Sequence, residues 1–421
     1  MLSKKEAYNI IDKTLSHCNY YTEIFVTAEE EGLTRLANSQ IHQNVFKYDV
    51  NVTVKVIDGK RESKVTTNLL DEKSLKNAVK EAEENLKFLP EGEVEIPKLS
   101  EPKEIVNEEY DEQISKKFDI SNRSRLLKKG VEILEDEFTA AGALSLKKFV
   151  YAIGSSTGAK RYSRIDTVNF NTVVMHKDGF SGYAALNTNK AEDLDVVKEI
   201  KTAYEKAKLG INPISIKPGE YTVILEPLAV GNLLSFMSYI GFSARRVQTG
   251  MSFLTGKIGK KVFGENITII DDVKNKNTLP LKFDFEGYER KKLNIIEKGV
   301  AKELAYDVHS AAIDGVSTTG HSVGRKEIGG VALNLVMNNG EDTLEELIKS
   351  TKRGLLVTRF HYMNAVDPTQ AQLTALTRDG LYLIEDGEIK SGVKNLRFTE
   401  SMFKVFNNVV GITKERKCQD S

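Results

Sequence analysis

The chain predicts an α+β protein of two domains, on three observations. Its first half carries period-two strands arranged as hairpins among isolated amphipathic helices, without the regular strand–helix alternation of a parallel sheet. A helix stop, two prolines and a glycine coincide within 210–219. Beyond that point glycines become denser and strands shorter. Residues 1–209 are therefore expected to form an N-terminal domain of helices packed on antiparallel hairpins, and residues 219–421 a mixed, β-rich C-terminal domain.

Residues 4–15 place Ala7, Ile10, Ile11 and Leu15 near one helical face. Residues 22–31 alternate as a strand, which resumes over 33–39 after a turn at Gly32. Residues 44–57 alternate cleanly and end at Asp58-Gly59, a hairpin dipeptide, so 61–67 is the partner strand. Leu75, Ala78, Val79, Ala82 and Leu86 recur at helical spacing across 71–86. A charged, proline-containing connection over 90–108 leads to a helix over 123–137. Strands follow at 143–154, 161–176 and 179–185, then a helix over 191–209.

In the second half, a strand over 221–225 precedes an unusually apolar helix over 232–242. A glycine-spaced loop occupies 250–259 and a strand 267–270. Asp284 and Glu286 form an acidic pair before a strand-and-turn segment over 291–308. Residues 316–324 read as a loop, 331–337 as a strand, and 343–350 as a helix with Thr343 as its cap. A strand over 354–359 and a loop over 362–370 come next. Strands over 372–380 and 382–385 join at Asp379-Gly380, a turn follows at Asp386-Gly387, and 398–405 closes the chain as a helix.

Composition narrows the function. Lysine plus arginine equal aspartate plus glutamate at 60 each among 421 residues, and the basic clusters at Arg245-Arg246 and Lys260-Lys261 lack interleaved aromatics. Nucleic acid is not the expected partner. Cys18 and Cys418 make no disulfide framework, and no apolar run has the length of a signal core or a membrane span. A soluble cytoplasmic protein is expected, with residues 414–421 as a frayed tail.

Local chemistry is sparse. None of the six histidines has another within five residues, and no HExxH occurs. His321 and His361 are the better candidates for function, because both lie in or beside loops of the glycine-rich half. Gly256-Lys257 is followed by Ile258, so the phosphate-loop pattern fails; Ser235 lacks a GxSxG setting. His17 and Cys18 are adjacent on a helix and do not face each other. Between Leu228 and Lys257 there is no His, Cys, Asp or Glu.

Several stretches together resemble the TldD/PmbA family of metallopeptidases. These are GMSFLTGKIG at 250–259, the strand closing at Asp272, Asp284-Phe-Glu-Gly287, Ser317-Thr-Thr-Gly320, Val366-Asp-Pro-Thr369, YLIEDGEI at 382–389 and VKNLRFTE at 393–400. The resemblance runs over nearly the whole chain and implies the two-domain TldD/PmbA-like fold. Active members carry HExxxH on the helix before the glycine/serine loop, and a cysteine before the YLIE-type strand. The matching positions here are Ser235, Phe236, Ile240 and Arg378. None can serve as zinc ligand or base, since zinc takes nitrogen, sulfur or carboxylate oxygen.

The resemblance therefore implies the PmbA/TldE-like branch. Such a chain is a non-catalytic subunit of a zinc metallopeptidase acting on peptides or unfolded proteins, with no metal or cofactor of its own and zinc on a TldD-like partner. A heterodimer with that partner, or a homodimer in isolation, is expected. Arg378, His321 and His361 are the candidate substrate contacts, Arg378 because a guanidinium forks onto a peptide carbonyl or carboxylate. Two other readings stand beside this one: a stand-alone scaffold or peptide-binding homodimer, and a peptidase with an unrelated site near His321 or His361.

Overall fold

The computed structural model describes residues 1–100, 103–276 and 278–417; Cys418 and the last residues of the expected tail lie outside them. The fold is α+β, with sheets that are mostly antiparallel. The first part contains α1 (Lys4–Leu15), β1 (Tyr21–Ala37), β2 (Gln40–Asp58), β3 (Arg61–Thr67) and α2 (Glu72–Leu86). It continues through β4 (Glu104–Asn107), α3 (Glu112–Lys117), α4 (Ile120–Val131), β5 (Phe138–Ser155), β6 (Lys160–His176), β7 (Ser181–Thr188) and α5 (Val196–Leu209).

These strands build one seven-stranded sheet in the order β3-β2-β1-β5-β6-β4, with β7 also on β6. Strand alternation gives the sheet two unlike faces. Ile24, Val26, Val52, Val54, Val150 and Ala152 lie against Ala7 and Ile11 of α1 and Leu75 and Val79 of α2. Farther along the same long strands, Leu36, Leu144 and Val168 pack with Leu127 of α4 and Ile200 and Ala203 of α5. The opposite face presents Glu23, Phe25, Lys55 and Tyr151, and it is not left to solvent. Phe285, from the second half, packs edge-on against Phe25 and Tyr151, with ring centroids 6.0 and 5.4 Å apart.

The second part contains β8 (Thr222–Leu225), α6 (Pro227–Gly241), α7 (Ala244–Gln248), β9 (Ile269–Asp271), β10 (Leu293–Glu297), β11 (Val300–Ala301), α8 (Val308–Asp314) and β12 (Leu335–Met337). α9 (Leu344–Ser350), β13 (Arg353–Asp367), β14 (Gln372–Glu385), β15 (Glu388–Gly392), β16 (Arg397–Ser401) and α10 (Met402–Asn407) complete it. A four-stranded sheet runs β11-β10-β9-β12, and a five-stranded sheet runs β15-β14-β13-β8 with β16 also on β14. One large apolar core joins them, with Met237, Ile240, Phe253, Phe263, Leu355 and Leu373 near its middle.

Several local expectations need correction. β1 runs through Gly32 without a turn. That glycine makes room: a Cβ there would lie 2.8 Å from Nη1 of buried Arg123. The region expected as a loop over 362–370 is largely the end of β13, which bulges near Tyr362 (φ 49°). Asp379 and Gly380 do not separate two strands but form a kink inside continuous β14. A Cβ on Gly380 would meet the Thr358 hydroxyl at 2.4 Å, so glycine there allows the close approach. The closing helix is a strand, β16, followed by α10. Thr343 does cap α9, in a reciprocal capping box with Glu346.

Candidate functional site

Helix α6 starts earlier than its apolar run, because Pro227 occupies the first turn, where a missing N–H costs nothing. Leu233, Leu234, Met237 and Ile240 turn inward. The buried Ser238 hydroxyl donates to the Ala332 carbonyl at 2.8 Å. Gly241 lies under the Phe253 ring, where a Cβ would come within 1.9 Å. The outer stripe consists of Asn232, Ser235, Phe236 and Tyr239, and the Arg246 guanidinium stacks 4.4 Å from the Tyr239 ring. Ser235 and Phe236 are thus half-buried, while Ile240 is 1% exposed in the core. Arg378 is half-exposed on β14. A hydroxyl, a phenyl ring, a branched alkyl group and a guanidinium do not make a zinc-binding set, and this helix does not fit the metal that active relatives are expected to carry.

The three expected contact residues separate. β13 and β14 pair Arg359 with Arg378, two residues before His361. Burial, Arg378 and Arg359 together hold the His361 imidazole below its usual pKa. Asp379 organises this patch: its carboxylate accepts from Arg359 Nε at 2.8 Å and Ser181 Oγ at 2.7 Å, and Arg378 Nε stands 3.9 Å away. Arg359 also stacks 3.8 Å from the Tyr183 ring. Arg378 and His361 therefore share one electropositive, partly exposed surface beside aromatic rings.

His321 belongs elsewhere. It is fully buried, not a surface or turn histidine, with Nδ1 2.9 Å from both the carbonyl and hydroxyl oxygens of Thr319. Its Nε2 is 3.2 Å from Asp271 Oδ1. Burial pushes its pKa down against the pull of Asp271. The ring ties the 317–324 loop to β9 and cannot touch a peptide from inside the core.

A second charged centre lies where the 284–309 segment covers the outer face of the seven-stranded sheet. Lys55 Nζ stands 3.1 Å from Glu23, 3.6 Å from Glu286 and 3.7 Å from Glu62. Burial opposes its charge, but the three carboxylates outweigh burial and keep it protonated. Asp307 caps α8 through the Ser310 N–H at 3.0 Å, and Glu286 accepts from Val308 N–H at 3.4 Å. Asp284 takes backbone N–H groups from Glu286, Tyr288 and Ser322, yet burial and the neighbouring Glu286 push its pKa up to about 7. His309 sits among Glu62, Glu286 and Asp307 at 3.7–3.9 Å. The acidic pair Asp284 and Glu286 is legible in the sequence, and His309 is one of its six histidines. The close pair Asp307-Val-His309 was the available signal, but nothing in it points to Glu62 or Lys55, some 250 residues away.

The chain falls in a metallopeptidase-like class of proteins. A family model described as the PmbA/TldA metallopeptidase C-terminal domain matches residues 218–421, and one described as PmbA/TldA metallopeptidase domain 1 matches residues 22–86. The chain belongs to the TldD/PmbA family. A metalloprotease of Methanocaldococcus jannaschii is 24% identical over 94% of this chain and 90% of its own length. A metalloprotease TldD homologue of Buchnera aphidicola is 31% identical over half of this chain, which spans 44% of that relative. The crystal structure of TldE from Thermococcus kodakarensis has the same fold, with a TM-score of 0.82 at 21% identity, over 97% of this chain and 94% of that one. Among the described residues no helix is long and apolar enough to cross a membrane.

Proposed function

We propose that this chain is the non-catalytic, TldE/PmbA-like subunit of a two-subunit zinc metallopeptidase that acts on peptides or unfolded proteins in the cytoplasm. One observation carries the reading: α6 offers Ser235 and Phe236 at its surface and Ile240 in its core, where catalysis needs metal ligands and a base. The zinc then belongs to a TldD-like partner carrying HExxxH, joined to this chain as a heterodimer. The Arg359–Arg378–His361 surface suits a substrate carbonyl or C-terminal carboxylate, because guanidinium groups donate forked hydrogen bonds to planar oxygen pairs. The test is peptide hydrolysis by the purified chain, alone and mixed with a TldD-like subunit. Cleavage of an unfolded peptide is expected only from the mixture. Zinc-dependent cleavage by the isolated chain overturns the proposal, and failure to associate with any TldD-like subunit favours the peptide-binding scaffold.

A further inference from the structure

The seam around Lys55 buries more negative charge than its own ammonium balances. The side chains of Glu23, Glu62, Glu286 and Asp307 are all between 1% and 7% exposed. Lys55 reaches the first three but, among the described residues, makes no ion pair with Asp307. Of these carboxylates, Lys64 and Lys326 approach only Glu62, through its Oε1, at 4.0 and 3.6 Å, from the solvent side. Asp307 Oδ1 is used by Ser310, but Oδ2 is buried without a hydrogen-bond partner and faces His309 Nδ1 at 3.7 Å. Neither ring nitrogen of His309 has a hydrogen-bond partner. Nδ1 is 3.9 Å from Glu286 Oε1, and Nε2 is 3.8 Å from Glu62 Oε2.

Such gaps are too wide for hydrogen bonds. They suit ligands facing one another across an ion: two donors each about 2.1 Å from a tetrahedral centre stand about 3.4 Å apart. One donor atom each from Glu286, Asp307 and His309 already lies within 4.8 Å of the other two. We infer that Glu286, Asp307 and His309 form a binding site for one divalent first-row cation of the zinc or manganese class. An imidazole with two carboxylates matches such ions, and a divalent charge compensates the surplus that Lys55 leaves. The ion joins the 284–309 segment to itself beside β2 and β3, at a place distinct from α6. Its role is to fix the conformation of the 284–309 segment where that segment covers β2 and β3.

The test uses the full chain, stripped with chelator, titrated with zinc and separately with manganese, and assayed for retained metal after gel filtration. One equivalent of one of these ions is expected on the wild type, with a rise in Tm on adding it. His309→Gln is expected to bind at least tenfold more weakly and to lose the metal-induced rise, while its metal-free melting matches the wild type. Glu286→Gln provides an independent second variant should Asp307→Asn fail to fold through loss of the α8 cap. Absence of retained metal on the wild type overturns the inference, as does wild-type affinity in both His309→Gln and Glu286→Gln. Peptide hydrolysis measured on the same samples separates this result from the functional proposal. Bound metal without hydrolysis by the isolated chain supports both. Hydrolysis lost in His309→Gln overturns the non-catalytic reading and keeps the cation site.

Discussion

Helix α6 and the Lys55 seam are both buried, and they solve burial in opposite ways. The α6 face that enters the core is hydrocarbon, with Met237 and Ile240 almost wholly enclosed and Ser238 satisfied by one carbonyl. Its packing needs no charge and tolerates none. The seam instead encloses five carboxyl groups, Asp284 among them, a lysine and a histidine between a sheet face and a covering segment. There the Coulombic terms are large because water is excluded, and removing one partner strands the others. The difference teaches that an α6 without metal ligands does not make the chain electrostatically quiet. One cluster of its buried ionisable groups lies at the joint between its halves.

The largest test of that contrast is Lys55→Met. It leaves Glu23, Glu62 and Glu286 buried without their shared cation, and is expected to cost about 3–5 kcal/mol in urea unfolding. A loss under about 1 kcal/mol shows that water or another cation already screens the seam. On the other side of the comparison, Met237→Ala removes core hydrocarbon and is expected to cost about 2–5 kcal/mol, with little dependence on pH.

Acidity sharpens the contrast next. Asp284 has a folded-state pKa of about 7, above its usual 3.8. The folded state therefore holds this proton more tightly than the unfolded state. The contribution of Asp284 to stability is greatest where the group is protonated in the folded chain and ionised in the unfolded one only slightly, and it declines as pH rises from about 4 to about 7. Asp284→Asn is expected to flatten that decline by on the order of 2 kcal/mol, read as the difference between mutant and wild-type urea midpoints at pH 5 and pH 7.5. Identical pH profiles for the two proteins rule out the raised carboxyl.

The smallest effects on stability belong to the outer surfaces. Ser235→Ala is expected to change stability by less than about 0.5 kcal/mol, since its side chain joins no hydrogen bond among the described residues. Arg378→Ala is expected to be equally mild, because Asp379 keeps Arg359 and Ser181. Mixed with a TldD-like subunit, however, the Arg378→Ala chain is expected to raise KM for peptide about tenfold, the size of one lost charge-assisted hydrogen bond. An unchanged KM removes Arg378 from the substrate surface.

Much of the fold was legible from local patterns. The hairpin at Asp58-Gly59, the amphipathic helix α2 and the Thr343 cap each depend on neighbours within a few residues, and each appears as read. Misreadings arose where tertiary packing overrides local punctuation. Gly32 looked like a turn but accommodates Arg123, and Asp379-Gly380 looked like a break but is a kink in one strand. Helix α8 was missed because its one turn or two is set by the Asp307 cap and by Glu286, 22 residues before Val308 in the chain. Of the candidate contacts, Arg378 and His361 meet through strand pairing, while His321 is drawn inside by Asp271.

By itself the sequence determined that α6 contains no zinc ligand or base, because that is a statement about which side chains exist. It also determined that Glu23 and Lys55 point away from the valine face of their strands, because alternation has a period of two. Tertiary structure alone decided what covers that other face. A period of two separates the sides of a sheet, but it cannot say whether the polar side meets water or another part of the chain. Here the 284–309 segment closes over it, bringing His309 between Glu62 and Asp307 and turning a row of apparent surface charges into a buried ionic centre.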